Sequence, residues 1–534
     1  MCLLILWCAA AVNAAAAADS ARPNIVYVLC DDLGYGDVRA LNPEGKIPTP
    51  NFDRVAAEGM SFTDVHSGSA VCTPTRYGIV TGRYAWRSRL QRGVLGGLSP
   101  TLIRNEQLTV PKLLKSNGYS TACIGKWHLG MDWTRLQGKD VSENDIETSQ
   151  QVWNVEFSKP VTGGPNSAGF DYYFGISASL DMVPYTFIEN DRVAALPTEN
   201  REFPLMFGRT DGATRKGPAA PGFEAEDMLP TLTKKAVEFL EASSAKEQPF
   251  FLYLPLASPH TPILPKESWR NKSGLNPYAD FVMQTDASLG EVMAAMDRLH
   301  LADNTLLIVT SDNGCSPQAR FEELAAKGHN PSFRFRGNKA DIFEGGHRIP
   351  FLVRWPGQVR PGTRCDQLLC LTDLLATCAD LLKAELPSEA GVDSVSFLPA
   401  LRGTADKPLR EAVVHHSING SFAIRRGNWK LALCADSGGW SSPRPNSAEA
   451  RGLPDVQLYD LASDIGEQHN VQAQHPDVVA SLTALLEEYV ADGRSTPGPV
   501  QSNDAKIQIT RPLAAAAGSS EKTRPKANRK RAKD

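Results

Sequence analysis

The sequence predicts an α/β/α sandwich around a largely parallel mixed sheet, followed by a smaller C-terminal α+β domain with an antiparallel sheet. Three observations predict it. Short apolar runs rich in β-forming residues alternate with helical patterns, several of those runs end in polar clusters, and the pattern changes character after about residue 385. The strand-like runs are 24–30, 119–124, 249–256, 305–310 and 350–355. Between them, 50–60 reads as a helix with Thr49 as N-cap and Pro50 at its first position. Segments 226–242 and 277–300 carry apolar residues at spacings of three and four, the helical period. Beyond 385, residues 421–433 alternate as an exposed hairpin, 436–454 reads as a surface loop, and 478–490 reads as a closing amphipathic helix.

Composition supports a large globular chain. Hydrophobic residues make up 42% and charged residues 22% of 534, which excludes a disordered, collagenous or coiled-coil protein. The length suits two domains, at 22–385 and 386–495. The net charge of −4 excludes a general nucleic-acid binder, so no nucleic-acid partner is expected. Residues 1–18 are uncharged and end in an Ala tract, Ala14 to Ala18. This reads as a secretory signal cut near Ala18, although the basic residue usual at the start is missing. The mature chain is then exported, periplasmic or extracellular, with no transmembrane segment. Removal of Cys2 and Cys8 leaves eight of ten cysteines, none in a C-x-x-C pair, so a structural zinc site is not expected. Cys30, Cys123, Cys370 and Cys378 lie in apolar patterns and read as core. The stretch 496–534 is low in complexity and reads as a disordered tail, with seven Lys/Arg against two acids in 519–534.

The chemistry is written at the strand ends. The run 24–30 leads into Asp31-Asp32, 305–310 through Ser311 into Asp312-Asn313, 249–256 on to His260, and 119–124 to Lys126 and His128. Ligands of open α/β sheets sit outside the carboxyl ends of the strands, so parallel strands would bring these four clusters to one crevice. Three carboxylates and an amide carbonyl suit a hard divalent cation, calcium before magnesium. A single Asp-Asp or Asp-Asn would more often serve a turn; two such pairs, each after an apolar strand, favour the metal.

The segment Cys72-Thr-Pro74-Thr75-Arg76, continued by Thr81-Gly82-Arg83, resembles the signature of the formylglycine-dependent sulfatases. The resemblance spans roughly residues 22–490. It includes Gly125-Lys126-Trp127-His128, Ser258-Pro259-His260, Asp312-Asn313-Gly314, Arg336-Gly337-Asn338-Lys339 and Leu458-Tyr459-Asp460-Leu461. Thr75 departs from the Ser or Ala more usual in that motif. The resemblance implies the alkaline-phosphatase-like fold and an arylsulfatase-like enzyme. It also implies that a separate maturation enzyme oxidises Cys72 to formylglycine. One hydroxyl of the hydrated aldehyde attacks sulfur, and loss of the other's proton expels sulfate, an exit that a serine ester lacks. One calcium ion would be held by Asp31, Asp32, Asp312, Asn313 and modified Cys72. Arg76, Lys126 and Lys339 would neutralise the sulfuryl oxygens. His128 matches the family residue that takes the second hydroxyl's proton, and His260 the residue near the leaving oxygen. Ser179 and Asp181 would line the sulfate or sugar pocket.

The expected substrate is an aryl sulfate or, in preference, a sulfated carbohydrate. The aromatic segments 172–173, 182–185 and 269–278 are candidates for sugar-binding surface. Two other functions stay open on sequence alone. A formylglycine-dependent phosphonate or phosphodiester hydrolase would keep the same core residues, and an unmodified Cys72 would leave a non-catalytic binder of sulfated glycans.

Overall fold

The computed structural model describes residues 22–510, so the signal segment 1–18 and the basic run 519–534 lie outside the described residues. Its main sheet has ten strands. In chain order these are β1 (Asn24–Cys30), β2 (Met60–Phe62), β3 (Ser120–Lys126), β4 (Tyr172–Ile176), β5 (Ile188–Glu189), β6 (Arg192–Val193), β7 (Phe250–Pro255), β8 (Thr305–Ser311), β9 (Phe351–Arg354) and β10 (Thr363–Cys365). They lie side by side as β10-β2-β9-β8-β1-β7-β3-β4-β5-β6. The five central strands β8, β1, β7, β3 and β4 are mutually parallel, so their carboxyl ends share one edge. Towards one side β9 runs antiparallel to β8, a direction that the apolar run 350–355 does not encode.

Every residue of β1 is buried, as a strand covered on both faces requires. Its alternate side chains serve two cores. Val26, Val28 and Cys30 pack with α1 (Pro50–Ala57), α3 (Met228–Ser244) and α4 (Pro277–Arg298), through Val55, Leu232 and Val292 among others. Ile25, Tyr27 and Leu29 face the opposite layer, with Tyr77 and Ile79 of α2 (Cys72–Thr81) and with Leu113 and Leu375. Thr49 and Pro50 open α1 as expected, although the Thr49 hydroxyl accepts from the Arg39 amide rather than capping the helix.

Four antiparallel strands form the second sheet: β11 (Val413–His416), β12 (Phe422–Arg426), β13 (Trp429–Ala432) and β14 (Gln457–Asp460). Helix α5 (Pro476–Ala491) closes it through Leu482, Leu486 and Tyr489. Leu398 and Leu401, C-terminal to residue 385, pack into the main core rather than onto this sheet. Residues 496–510, counted with the tail in the sequence, pack on the globule instead. Asp504 pairs with Arg83 at 2.7 Å, Asn503 accepts from Arg87, and Ile507 and Ile509 join the apolar cluster of the small sheet. The eight described cysteines are free, and Cys30, Cys123, Cys370 and Cys378 are buried. No helix among the described residues is long and apolar enough to cross a membrane.

Candidate active site

The parallel core delivers the expected convergence. Asp31 and Asp32 follow β1, Asp312 and Asn313 follow β8, Lys126 ends β3, and His260 lies beyond β7. The Asp32 amide donates to Asp312 Oδ1 at 3.2 Å, which ties the two acidic strand ends together. Asn313 Nδ2 donates to Asp32 Oδ1 at 2.7 Å. Lys126 Nζ lies 2.6 Å from Asp31 Oδ2, Lys339 Nζ 2.7 Å from Asp32 Oδ1, and Arg76 Nη2 2.8 Å from Asp312 Oδ2. Burial works against the charge on Lys339, but Asp32 and then Cys72 hold it protonated, well above the usual lysine range.

Cys72 is the first residue of α2, buried at the positive end of the helix. Burial raises its thiol, against the pull of Lys126 and then Lys339. Arg76 follows one turn later on α2, which turns its guanidinium to Asp312 and to the Lys126 carbonyl at 2.9 Å. Thr75 donates its hydroxyl to the Ser69 carbonyl at 2.9 Å, a bond that a serine could also make, so the departure from the usual motif fits without rearrangement.

Both histidines are held by one ring nitrogen and present the other. His128 Nε2 donates to the Leu95 carbonyl at 2.8 Å, and buried Nδ1 has no partner. Burial, then Lys126, holds its pKa well below the usual histidine range, so the ring is a neutral acceptor. His260 Nδ1 donates to the Thr261 carbonyl at 2.6 Å, leaving Nε2 3.6 Å from Asp32 Oδ2. Asp32 and His128 have left-handed backbones, φ 66° and 58°, unfavourable for residues with a Cβ. Such strain gathers where a fold holds side chains for a task.

The donor set fits a hard cation. Asp31 Oδ1 and Asn313 Oδ1 are buried and accept no hydrogen bond, so two hard oxygens stand ready in one cluster. Burial, and then the neighbouring Asp31, pushes Asp312 up to about 7, a crowding of carboxylates that a cation relieves. His260 could offer a ligand atom within 4.8 Å of those of Asp31 and Asp32, but a nitrogen suits a hard ion poorly beside these oxygens.

A sequence model of the sulfatase family matches residues 23–384, the part of the chain that carries this cluster. The chain belongs to the sulfatase family. It is 36% identical to an N-acetylgalactosamine-6-O-sulfatase of Bacteroides thetaiotaomicron, over 88% of this chain and 93% of the relative. It is 30% identical to human arylsulfatase A, over 93% of this chain and 94% of that one. A solved structure from work on the metabolism of multiple glycosaminoglycans by B. thetaiotaomicron superposes with a TM-score of 0.74 at 34% identity, over 88% of this chain and 99% of its own. The protein is therefore a hydrolase of sulfate esters.

Beside the sulfatase's charged cluster, Ser179 Oγ lies 3.1 Å from Lys126 Nζ and 3.3 Å from His260 Nδ1, and so links the two. Asp181 follows in the same turn, where the Met182 amide donates to the Ser179 carbonyl at 3.0 Å. Burial works against the Asp181 charge, but His260 and then Arg215 hold its pKa below the usual range. Of the aromatic segments, Tyr173, Tyr185 and Tyr278 are buried, while Tyr172 and Trp269 are half-buried. Ring packing against the core claims the buried side chains. Arg215, paired with Asp181 at 2.9 Å, was missed, because 203–219 shows no periodicity and only tertiary pairing brings it to the site.

Proposed function

We propose that this sulfatase removes sulfate from a carbohydrate through formylglycine formed from Cys72 by a separate maturation enzyme, with one calcium ion held by Asp31, Asp32, Asp312, Asn313 and the modified Cys72. The observation that carries the reading is the position of Cys72, buried at the start of α2, one turn before the Arg76 that pairs with Asp312 of the acidic cluster. The N-acetylgalactosamine-6-O-sulfatase relative supports a sugar substrate over an aryl one. Export, with a signal cut near Ala18, places the enzyme where such glycans are met.

In this mechanism the oxidised residue supplies a hydrated aldehyde as nucleophile and the calcium ion supplies positive charge for a sulfate oxygen. Arg76, Lys126 and Lys339 neutralise charge on the remaining oxygens, already fixed by their carboxylate partners and so needing little reorganisation. His128 accepts a proton at Nδ1, the nitrogen left free by the Leu95 bond. To act as general acid His260 takes up a proton at Nε2 beside Asp32, against burial and Lys339, which lower its pKa, and passes it to the departing sugar oxygen, with Ser179 Oγ against Nδ1.

The test is direct. Peptide mass spectrometry of residues 66–83, on protein made together with a maturation enzyme, should show Cys72 converted to formylglycine. Cys72→Ser should accumulate a stoichiometric sulfated enzyme and turn over at less than about a thousandth of the wild-type rate, in line with losses on removing a nucleophile. An unmodified thiol in active enzyme, or multiple turnover by Cys72→Ser at the wild-type rate, overturns the mechanism. A preference for 4-nitrophenyl phosphonate or phosphodiester over the sulfate would favour the alternative hydrolase.

A further inference from the structure

The outer edge of the sulfate pocket holds a cation with donors to spare. Arg215 spends Nη1 on Asp181, at 2.9 Å to Oδ2 and 3.3 Å to the backbone carbonyl. Among the described residues, Nε and Nη2 meet no acceptor, and 41% of the side chain is exposed. Glu147, which feels the Arg215 charge, is already engaged, accepting from the Leu98 amide at 2.6 Å and the Gly97 amide at 3.2 Å. Lys216, next along, is also exposed.

This cation stands on a rigid support. The Arg215 amide donates to the Asp181 carbonyl, and its own carbonyl accepts from the hydroxyl of buried Tyr185, which also reaches Thr214 Oγ1 at 2.8 Å. The Thr214 amide is bonded to the Phe203 carbonyl, and the strand pair 199–201 with 217–219 follows directly. A guanidinium held at its base with one edge open presents a fork of donors at little cost in side-chain entropy.

Its place relative to the chemistry is set by a short chain of contacts. Lys126 meets Ser179, Ser179 meets His260, and Asp181 sits in the Ser179 turn, paired with Arg215. Asp181 Oδ1 is buried without a partner, an acceptor available to a hydroxyl. From Lys126 the contacts therefore run through Ser179 to Asp181 and Arg215, and exposure rises along them.

We propose that Arg215 is a specificity residue that binds a second oxyanion on the same glycan, a uronate carboxylate or a further sulfate, so that the preferred substrate is a polyanionic oligosaccharide. The proposal rests on the sulfatase reading and adds the substrate's second charge to it. A planar guanidinium matches either oxyanion through two parallel hydrogen bonds.

The experiment compares kcat/KM of wild type, Arg215→Gln and Arg215→Lys on four substrates. These are 4-nitrophenyl sulfate, a monosulfated N-acetylhexosamine, a monosulfated disaccharide containing a uronic acid, and a disulfated disaccharide. Glutamine can keep the bond to Asp181 while removing the charge. The ratio of kcat/KM on a doubly anionic substrate to that on the monosulfated sugar should fall ~10–100-fold in Arg215→Gln, the scale of a charge-assisted hydrogen bond. Arg215→Lys should restore much of that ratio, and added salt should erode it in wild type more than in Arg215→Gln. Loss confined to the uronate or to the disulfated substrate identifies which oxyanion is read. Equal losses on all four substrates would reduce Arg215 to a support for Asp181, and an unchanged ratio would remove the second-anion site; either overturns the proposal. Failure of wild type on every sulfate would instead overturn the sulfatase reading.

Discussion

His128 and His260 differ in which nitrogen they leave open, and the difference assigns them separate steps. His128 is anchored through Nε2, and its free Nδ1 lies deep in the site. His260 is anchored through Nδ1, which also faces Ser179, and presents Nε2 beside Asp32. An aryloxide with a pKa near 7 leaves with little help, whereas a sugar alkoxide, near that of water at about 15.7, needs a proton in the transition state. His260→Ala should therefore lose ~10²–10⁴-fold on a carbohydrate sulfate, the span of general acid catalysis, and far less on 4-nitrophenyl sulfate. His128→Ala should slow release of the sulfated intermediate, a step both substrates share, and show a burst on each. Equal losses for His260→Ala across a series of leaving groups would move the general acid to Lys339.

At the scale of elements, the strand ends aim these side chains, and one glycine shows how tightly. Gly125 precedes Lys126 in β3 with φ 140°, and a Cβ there would sit 1.9 Å from the Pro255 carbonyl oxygen of β7. Gly138, at φ 71°, has nothing within 4 Å of the same virtual atom. Gly138→Ala should cost only its backbone strain, about 1–3 kcal/mol. Gly125→Ala adds a clash that must part β3 from β7 and swing Lys126 from Asp31, so its melting temperature and activity should both fall further. Equal melting temperatures for the two variants would show that the sheet absorbs the clash. This architecture is also why so much was legible in the sequence. Buried parallel strands read as unbroken apolar runs, and the polar residues that follow each run fall at one edge by geometry alone, which is how Asp31, Asp312, Lys126 and His260 could be grouped. The direction of β9 was not legible, since a buried strand reads alike either way. Strands of two residues, such as β5 and β6, are too short for any period. Arg215 reaches the site only through pairings between distant segments. Aromatic residues near the motif carry no mark that separates core from surface, and most proved to be core.

For the whole molecule, the joint between the two sheets is polar and buried, and its chemistry sets how the enzyme responds to acid. His66, His347 and His415 meet there, the last two stacked with ring centroids 3.7 Å apart, and His66 Nδ1 lies 3.0 Å from His347 Nδ1. They come from three separate segments, His66 far from the other two in the chain, so no spacing announces them. Around them Asp64 pairs with Arg425 at 2.6 Å and with Arg348 at 3.2 Å, Glu344 with Arg348 at 3.1 Å, and Lys430 with Glu344 at 3.1 Å and Glu467 at 2.7 Å. Arg425 and Lys430 oppose a further positive charge on these close imidazoles, while Asp64, 2.9 Å from His66 Nε2, and Glu344, 3.7 Å from His347 Nε2, favour one. Burial, the largest cause, lowers all three histidine pKa values, most strongly for His347 and His415. In the unfolded chain each would bind a proton below about pH 6.5. The native joint binds none there, so stability is full above that pH and is lost as pH falls below it. Glu467 opposes this, because burial pushes it up to about 7 and it takes a proton in the folded state first. Three histidines against one carboxylate leave a net uptake of protons on unfolding, so the joint loses stability as the pH falls below about 6.5. His415→Phe keeps a ring against His347 and removes one titrating group, so it should flatten the dependence of melting temperature on pH. The measurement is the melting temperature from pH 8 to 5 for both proteins. Parallel curves would place the acid sensitivity elsewhere than in this joint, whereas a flatter curve for His415→Phe ties the attachment of the small sheet to the neutrality of its histidines.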